Sequence, residues 1–579
     1  MRVLDSRRLT GPSLVLDRPG AVIDLEVDPA GRGNAIGAWR DALARLLAEV
    51  GWSGESVQVR SFGAGVSLGF TAPPDTLYSA TDLNDSAWAA AEAALDGRRP
   101  PDLGGEIERL RAAVAAERNP ALLALREAAR SRGVSFLHGE EQVSVGSGRG
   151  VQVWPDHALP ATSDVDWSAV HDIPTALVTG SNGKTTVVRL LAAMAAATGR
   201  VAGLTSTDGV RVGGRTVGQG DFAGPSGARL LLRQRDVEVA VLETARGGLL
   251  RRGLAVGRAD AAIVTNVADD HLGEFGVETL EALAETKLLV ARVIGAGGRL
   301  VLNADDPVLV AAAARLQAPL AWFSLDPTHP MLAAGTAAAT VEHATVILRE
   351  GGAGEAIAQV NEIPLALGGA ALHNVGNLLA ALAAAGRLGV TAEAARDTLR
   401  RFGRDPSDNP GRANLLELGG VRVLVDYAHN PHGFRALAGM TASIPAGRRL
   451  VLLGQAGDRS DAAIRELAAA ALALQPDHVI VKEMERYLRG RAPGEVSGLL
   501  AAEFRRLGLP PDRVSAGRSE TEAVREALAW ARPGDLLVLA VHQDREEVVG
   551  LLERLRAVGW TAGDAVPEGP PDRSRHGYL

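Results

Sequence analysis

The sequence predicts an α/β protein made of two successive α/β regions, preceded by a smaller α+β unit. Three observations carry this. Residues 175–199, "TALVTGSNGKTTVVRLLAAMAAATG", read as a short buried strand, a glycine turn and a helix that stops at Gly199. Strand-like runs that end in polar residues, "VEVAVLETA" and "ADAAIVTNVA", then alternate with helical spacing. After "DPSDNPGR" the alternation restarts with the strands "VRVLVDY", "RLVLLG", "HVIVKE" and "DLLVLAV".

The elements fall in order along the chain. "RVLDSRRL" and "AVIDLEVD" read as strands, and "NAIGAWRDALARLLAEVG", "DSAWAAAEAALDG" and "GEIERLRAAVAAERNPALLALREAARSRG" as helices. Residues 155–174, "PDHALPATSDVDWSAVHDIP", are rich in Pro, Asp and Ser and read as a linker. "ETLEALAETKLLVARVIG" reads as a helix before the strand "GRLVLN". Residues 319–370 are more β-rich and less regular, and "LHNVGNLLAALAAAGRLG" and "TAEAARDTLRRFG" are helical. The end, "PEGPPDRSRHGYL", is polar and Pro-rich and is expected to be disordered. We place domains at 1–162, 163–405 and 406–579.

Composition excludes several function classes. A formal net charge of -8 gives no general attraction for nucleic acid, so no nucleic-acid partner is expected. The absence of cysteine rules out disulfides and thiol catalysis. The N-terminus lacks the apolar core of a signal peptide, and the Ala-rich stretches at 187–197 and 378–385 read as core helices, not membrane spans. No membrane association and a cytoplasmic location are expected. Of the 61 basic residues only three are lysine: Lys184, Lys287 and Lys482. In so arginine-rich a chain, a surviving lysine marks a place where a guanidinium does not substitute for a compact ammonium.

The chemistry starts at the glycine turn. A strand, a glycine turn and a helix N-terminus together form an anion site. The motif is G-x-x-G-K-T-T; the commoner G-x-x-x-x-G-K-[ST] would need glycine where Val178 stands. Gly180, Asn182, Gly183, Lys184, Thr185 and Thr186 are therefore the expected phosphate-binding residues. In open α/β sheets ligands lie beyond the carboxyl ends of strands. Glu243 ends "VAVLE", and Asn266, Asp269, Asp270 and His271 follow "AAIVT". Alone, each reads as a helix cap or a loop residue. Beside a phosphate loop, Thr185, Glu243 and His271 become the expected ligands, direct or through water, of Mg2+ bound to ATP.

"TGSNGKTT", "TNVADDHLG", "LNADDP", "LHNVGNLLAA", "NPGR" and "VDYAHNPHG" occur in the order seen in the Mur ligase family, which the chain resembles over about 175–555. Within it, "TSTDGVRVGG", "GDFAGPSGAR", "VLETARGGLLRRGL", "GDRSDAAIRE", "RYLRGRAPGEV" and "ARPGDLLVLA" resemble the Mur-like, arginine-adding half of cyanophycin synthetases. "MRVLDSRRLTGPS" and "VSFLHGEEQVSVGSGRG" resemble the N-terminal domain of those enzymes. They carry an ATP-grasp domain between these two parts, where this chain has only the linker. The resemblance implies a P-loop central domain, a Rossmann-like C-terminal domain and an ATP-dependent, ADP-forming ligase that works through an acyl phosphate. It joins a small-molecule or peptide carboxylate donor to an amino-acid amine.

It further implies that Lys184, Glu243, His271 and Lys287 are catalytic, with Lys287 carbamylated; the alternative for Lys287 is an ordinary surface lysine. Asn374 and Asn377 would face adenine, Arg412 the phosphates and Asp426 the ribose, with His429 and Asn430 nearby. Asp458, Arg459, Asp461, Arg489 and Arg491 lie in matching segments, and a surface-charge reading fits all five. His373 and His432 read as structural or solvent-exposed, and Lys482 has no assigned role. Arginine added to an aspartyl carboxylate is the expected reaction. The alternatives are a glutamate-adding peptide or folate ligase, and a catalytically silent partner of a cyanophycin synthetase. A homo-oligomer is implied.

Overall fold

The computed structural model describes residues 1–98, 103–269 and 272–567. They form two compact units, Met1–Ala358 with Gly376–Thr398, and Gln359–Val375 with the chain from Leu399 on. The expected disordered end, from Glu568, lies outside the described residues.

The first unit opens with a four-stranded antiparallel sheet in the order Arg2–Leu9, Gly20–Glu26, Gly65–Thr71, Val57–Phe62. Helices Pro29–Glu49 and Leu77–Leu95 bury Trp39, Leu43 and Leu83 against Leu25, Leu68 and Phe70 of the sheet. Trp39 Nε1 donates to Asn84 Oδ1 at 2.9 Å, so the indole is buried with its polar atom satisfied. The helical run 105–133 is two helices, Leu103–Glu117 and Pro120–Ser131. Pro120 removes a backbone donor and starts the second helix, and Asn119 caps it by accepting from Leu122 N at 3.1 Å.

The linker-like stretch is packed. Val165 and Val170 are buried with Leu122, Leu125 and Val143, beside the small sheet Phe136–His138, Gln142–Val145, Gln152–Pro155. Widely spaced apolar anchors hold it without any periodicity to announce them.

An eleven-stranded sheet follows. Its parallel centre runs Ala202–Ser206, Val239–Glu243, Thr175–Thr179, Ala259–Val264, Ile294–Asn303 and Leu320–Phe323. These strands are near-continuous apolar runs, as strands covered on both faces must be. Residues 319–370 supply four strands at one edge, Leu320–Phe323, Ala337–Glu342, Thr345–Glu350 and Ala353–Gln359. The run "ETLEALAETKLLVARVIG" is helical only over Leu280–Lys287. It tightens into a 3-10 turn, Leu288–Val293, and Ile294 already belongs to the next strand. The β-branched Val290, Val293 and Ile294 and the glycines after them favour that exit.

The second unit contains a six-stranded sheet ordered Asn414–Leu418, Val421–Asp426, Leu536–Ala540, Arg449–Leu453, His478–Lys482, Val514–Gly517. All neighbours are parallel except the first pair. Alternate residues feed two cores. Leu424, Val451 and Val538 face one helical layer, and Val423, Leu450 and Leu537 the other. Strand order reverses around Leu536–Ala540, so carboxyl-end residues of neighbouring strands converge there.

Candidate active site

In the first unit the loop between strand Thr175–Thr179 and helix Lys184–Ala196 is held from two sides. Gly180 has φ +146, and a Cβ there would fall 1.8 Å from Thr265 Oγ1. Gly183 has φ +85, and a Cβ there would fall 2.1 Å from Asn377 Oδ1. Both positions need glycine for backbone angle and for space. Asn182 N donates to Asn266 Oδ1 at 2.9 Å, Asn266 Nδ2 donates to Asn182 O at 3.2 Å, and Thr265 Oγ1 donates to Asn182 O at 2.6 Å. Ser181 N donates to Asn266 O at 2.9 Å, and Ser181 Oγ donates to Ala268 O at 3.0 Å. The strand-end segment 265–268 thus fixes the loop's shape.

Lys184 Nζ donates to Gly180 O and Ser181 O, both at 3.1 Å, which folds the ammonium over the loop. Thr185 Oγ1 donates to Glu243 Oε2 at 2.8 Å. Glu243 is only 2% exposed, and its own amide donates to Thr205 Oγ1 at 3.0 Å. Thr186 is buried beside them, and one turn on Arg189 pairs with Asp208 at 2.9 Å. His271 and Asp270 lie outside the described residues. Lys287 closes helix Leu280–Lys287 and is 3% exposed, so it is not a surface lysine. Asn377 lies against the loop through Gly183.

The second unit gathers its polar residues at strand ends. Asp426 accepts from Ala413 N and Ala428 N, each at 2.7 Å, as a strand-end turn requires. The Arg412 guanidinium lies over the Tyr427 ring, 4.1 Å from its centroid. His429 and His542 meet the same ring edge-on at 5.6 Å and 4.9 Å. Asn430 caps helix Pro431–Thr441 by accepting from Gly433 N at 2.8 Å, and Asn374 Nδ2 donates to Leu365 O at 3.2 Å. Asp461 pairs with Arg491 at 2.8 Å, Asp458 with Arg459 at 3.8 Å, and Arg489 lies over Tyr487 at 5.6 Å. Burial holds His373 below the usual imidazole range.

Lys482 has a structural explanation here. It is fully buried in an ion pair with Glu520, and its Nζ also donates to Ala540 O at 2.6 Å. Glu520 in turn accepts from His542 N at 2.8 Å and Asp544 N at 2.8 Å. Burial pulls the Lys482 ammonium below the usual lysine range, against the opposing pull of Glu520. Burial, with the Lys482 and His429 charges, sets the His542 imidazole well below its usual range.

The Mur ligase middle domain matches residues 178–385, and the Mur ligase glutamate ligase domain matches residues 411–541. UDP-N-acetylmuramate–L-alanine ligase of Kineococcus radiotolerans is 31% identical over 87% of this chain and 94% of that protein. This chain belongs to the Mur ligase family. Cyanophycin synthetase of Synechocystis sp. is 42% identical over 332 residues, 57% of this chain and 38% of that protein. The chain therefore spans well under half the length of the cyanophycin synthetases it matches. Among solved structures, the E. coli FolC complex with DHPP and ADP is 21% identical over 66% of this chain and 89% of that chain, with a TM-score of 0.48.

Membership of the Mur ligase family implies an ATP-dependent ligase that uses ATP and Mg2+. The residues present fit both. A hydroxyl and a carboxylate 2.8 Å apart are hard oxygen donors of the kind Mg2+ takes alongside phosphate and water. The loop amides, the Lys184 ammonium and the N-terminus of a 13-residue helix favour phosphate.

Sequence reasoning left Thr265, Thr205 and Asp306 out of the site, and took Asn266 only as one polar residue at a strand end. Asp306 Oδ2 accepts from Val267 N at 2.6 Å, and Asn303 Nδ2 donates to Thr265 O at 3.0 Å. "LNADDP" therefore buttresses the segment that holds the loop. Its signal was position, since both segments end neighbouring parallel strands.

Proposed function

We propose that this chain is an ADP-forming amide ligase that joins an amino acid, arginine foremost, to an aspartyl carboxylate through an acyl phosphate, as in cyanophycin-like metabolism. The observation that carries the reading is the buried Thr185–Glu243 pair beside Lys184, in a chain 42% identical to a cyanophycin synthetase over 57% of its length. A carboxylate is a poor electrophile. Transfer of the γ-phosphoryl group of ATP to one carboxylate oxygen forms an O–P bond as the bond to ADP breaks. The amine nitrogen then attacks the carbonyl carbon, loses a proton, and expels inorganic phosphate.

The protein's part is placement and charge neutralisation. Lys184 and the amides of 180–186 hold the β- and γ-phosphates. Thr185, Glu243 and His271 hold Mg2+, which neutralises phosphate charge when bound. Asn374 and Asn377 take the adenine, Arg412 the phosphates and Asp426 the ribose. The last contact uses carboxylate lone pairs left over from the Ala413 and Ala428 amides. A buried, carbamylated Lys287 would add an acidic group that organises the metal. [13C]bicarbonate should give a carbamate resonance that Lys287→Arg removes; its absence from the Mg-ATP-saturated wild type would rule the carbamate out. The reading also makes the protein a cytoplasmic homo-oligomer.

The test supplies ATP, Mg2+ and short aspartate-backbone peptides, and screens the common amino acids for ADP release and adduct mass. An arginine adduct is expected. Adducts with glutamate but never arginine would make it a glutamate ligase. No adduct with any donor, alongside normal ATP binding, would make it a silent partner.

A further inference from the structure

Four arginines gather at the ends of two helices that follow the phosphate loop in sequence. Arg229 lies on helix Pro225–Leu232, Arg233 follows that helix, and Arg252 ends helix Arg246–Arg252. Arg8 comes from the N-terminal strand Arg2–Leu9. Hydrogen bonds tie Arg8, Arg229 and Arg252 together, and Arg233 stands one helical turn beyond Arg229. Thr10 N donates to Arg252 O at 2.8 Å, Arg229 Nη2 donates to Thr10 Oγ1 at 2.8 Å, and Arg252 Nη1 donates to Arg8 O at 3.5 Å. Arg8 lies over the Tyr78 ring, 3.9 Å from its centroid, so the ring supports one guanidinium plane.

Arg229, Arg233 and Arg252 are satisfied by neutral oxygens. Arg233 donates to Leu137 O at 3.0 Å, Gln142 O at 2.7 Å and Ser144 Oγ at 3.2 Å. Arg229 reaches a hydroxyl and Arg252 reaches carbonyls. Among the described residues, the patch's ion pair is Arg8 with Glu140 at 2.7 Å, and the Glu140 side chain is 77% exposed. The other acids that act on the region are engaged elsewhere. Asp5 pairs with Arg7 at 2.7 Å, Asp75 accepts from Asn119 N at 2.9 Å, and Asp156 lies 3.2 Å from His157.

Electrostatics register the imbalance. Burial, then repulsion from Arg252 and Arg8, holds Arg229 below the usual guanidinium range. Burial and Arg229 push Arg233 down to about 10. Burial and Arg8 lower Arg252, and burial with Arg229 and Arg233 lowers His138. Basic residues do complement a helix C-terminus, which accounts singly for Arg229, Arg251 and Arg252. It does not account for bringing Arg8 and Arg229 to the same place, where like charges repel.

We propose that this patch is a binding site for a compact, multiply charged anion, a small molecule presenting carboxylate or phosphate groups. The forked guanidinium geometry matches either group. The site is separate from the phosphate loop. Among the described residues, none of the four arginines bonds to a residue of that loop; their side-chain partners are Glu140, Thr10, Leu137, Gln142, Ser144 and the Arg8 and Arg251 carbonyls.

The probes are citrate and inorganic tripolyphosphate. They are titrated calorimetrically and in thermal melts into the full-length Lys184→Ala chain, so that the phosphate loop does not dominate the signal. Its circular dichroism is checked against wild type. Saturable binding with a rise in Tm is expected, and it should weaken steeply with added salt. Citrate alone or tripolyphosphate alone would support the site and identify the group it takes. Arg229→Met with Arg252→Met, added to that chain, should weaken binding about tenfold or more. The same pair should raise the anion-free Tm, because it keeps apolar stem volume and removes repulsion. If the pair does not fold, Arg252→Lys, which keeps charge but loses the fork, should still weaken binding. No binding of either anion, undiminished binding in the substituted chain, or a lower anion-free Tm in the paired variant would overturn the proposal.

Discussion

The two sheets with parallel centres each present a lysine near their carboxyl ends, and the two lysines are treated in opposite ways. Lys184 in the first unit is held by two carbonyls at 3.1 Å, neutral partners at a helix N-terminus, with no ion pair among the described residues. Lys482 in the second unit is buried against Glu520 with its charge matched inside the protein. Even the neighbouring glycine is fitted to it, since a Cβ on Gly454 would fall 2.8 Å from Lys482 Cγ. In a chain that writes almost every basic residue as arginine, lysine thus survives for two physical reasons. One is a compact ammonium folded over a glycine loop at a helix N-terminus, as our proposed phosphate contact requires; the other is an ammonium fully buried against Glu520 and Ala540 O.

The contrast breaks most directly at Lys482. Lys482→Met leaves Glu520 charged and buried, with the His542 and Asp544 amides as its remaining partners. We expect a loss of about 3–5 kcal/mol of stability. Urea unfolding of the wild type, Lys482→Met and Lys482→Met/Glu520→Gln measures it, and the double variant should recover part of the loss. Equal stability of the single variant and wild type would show that the pair is not matched as described.

Lys184→Ala should do the reverse. Removing a cation from a phosphate site lowers turnover by about 100- to 1000-fold, while the urea midpoint stays near wild type. Loss of stability comparable to Lys482→Met would erase the distinction between the two lysines.

Much of the fold was legible because it is local. The 175–199 strand, turn and helix follow from adjacent residues, and the strands of the second unit from apolar runs between turns. The Asn119–Pro120 helix break is also local, although the run around it reads as one helix. The rest depends on distance in sequence. Gly63 N donates to Glu278 Oε2 at 2.7 Å, and no local pattern couples residues so far apart. In the site, Glu243 was legible as a polar strand end, but the clasp of Asn266 on Asn182 was not, because any amide can end a strand. Asn266→Ala frees both Asn182 backbone groups from that side chain. It should raise the KM for ATP about tenfold, the equivalent of about 1.4 kcal/mol, with a smaller change in kcat. An unchanged KM would mean that Thr265 and the Ser181 bonds suffice to shape the loop.

The smallest effect concerns how the second unit carries His542. Its Nε2 lies 3.1 Å from Ala428 O, which can only accept, so Nε2 carries the proton. Its Nδ1 is buried without a hydrogen bond among the described residues, 4.0 Å from Glu520 Oε2. The folded imidazole therefore titrates well below its ordinary value, depressed by burial first and then by the Lys482 and His429 charges. The unfolded chain binds this proton near pH 6.5 and the folded chain does not. Stability from this group is thus complete above that pH and is lost as pH falls below it. Between pH 7.5 and 6.0 the loss is about 0.8 kcal/mol. His542→Gln removes it, so the difference in stability between wild type and variant should change by that amount across the interval. The comparison cancels the contributions of His373 and His138, whose imidazoles are also lowered by burial. Parallel pH profiles for the two chains would show that the folded imidazole titrates as it does in the unfolded chain, and below about pH 6.5 the Lys482–Glu520 network would then be carrying a second cation.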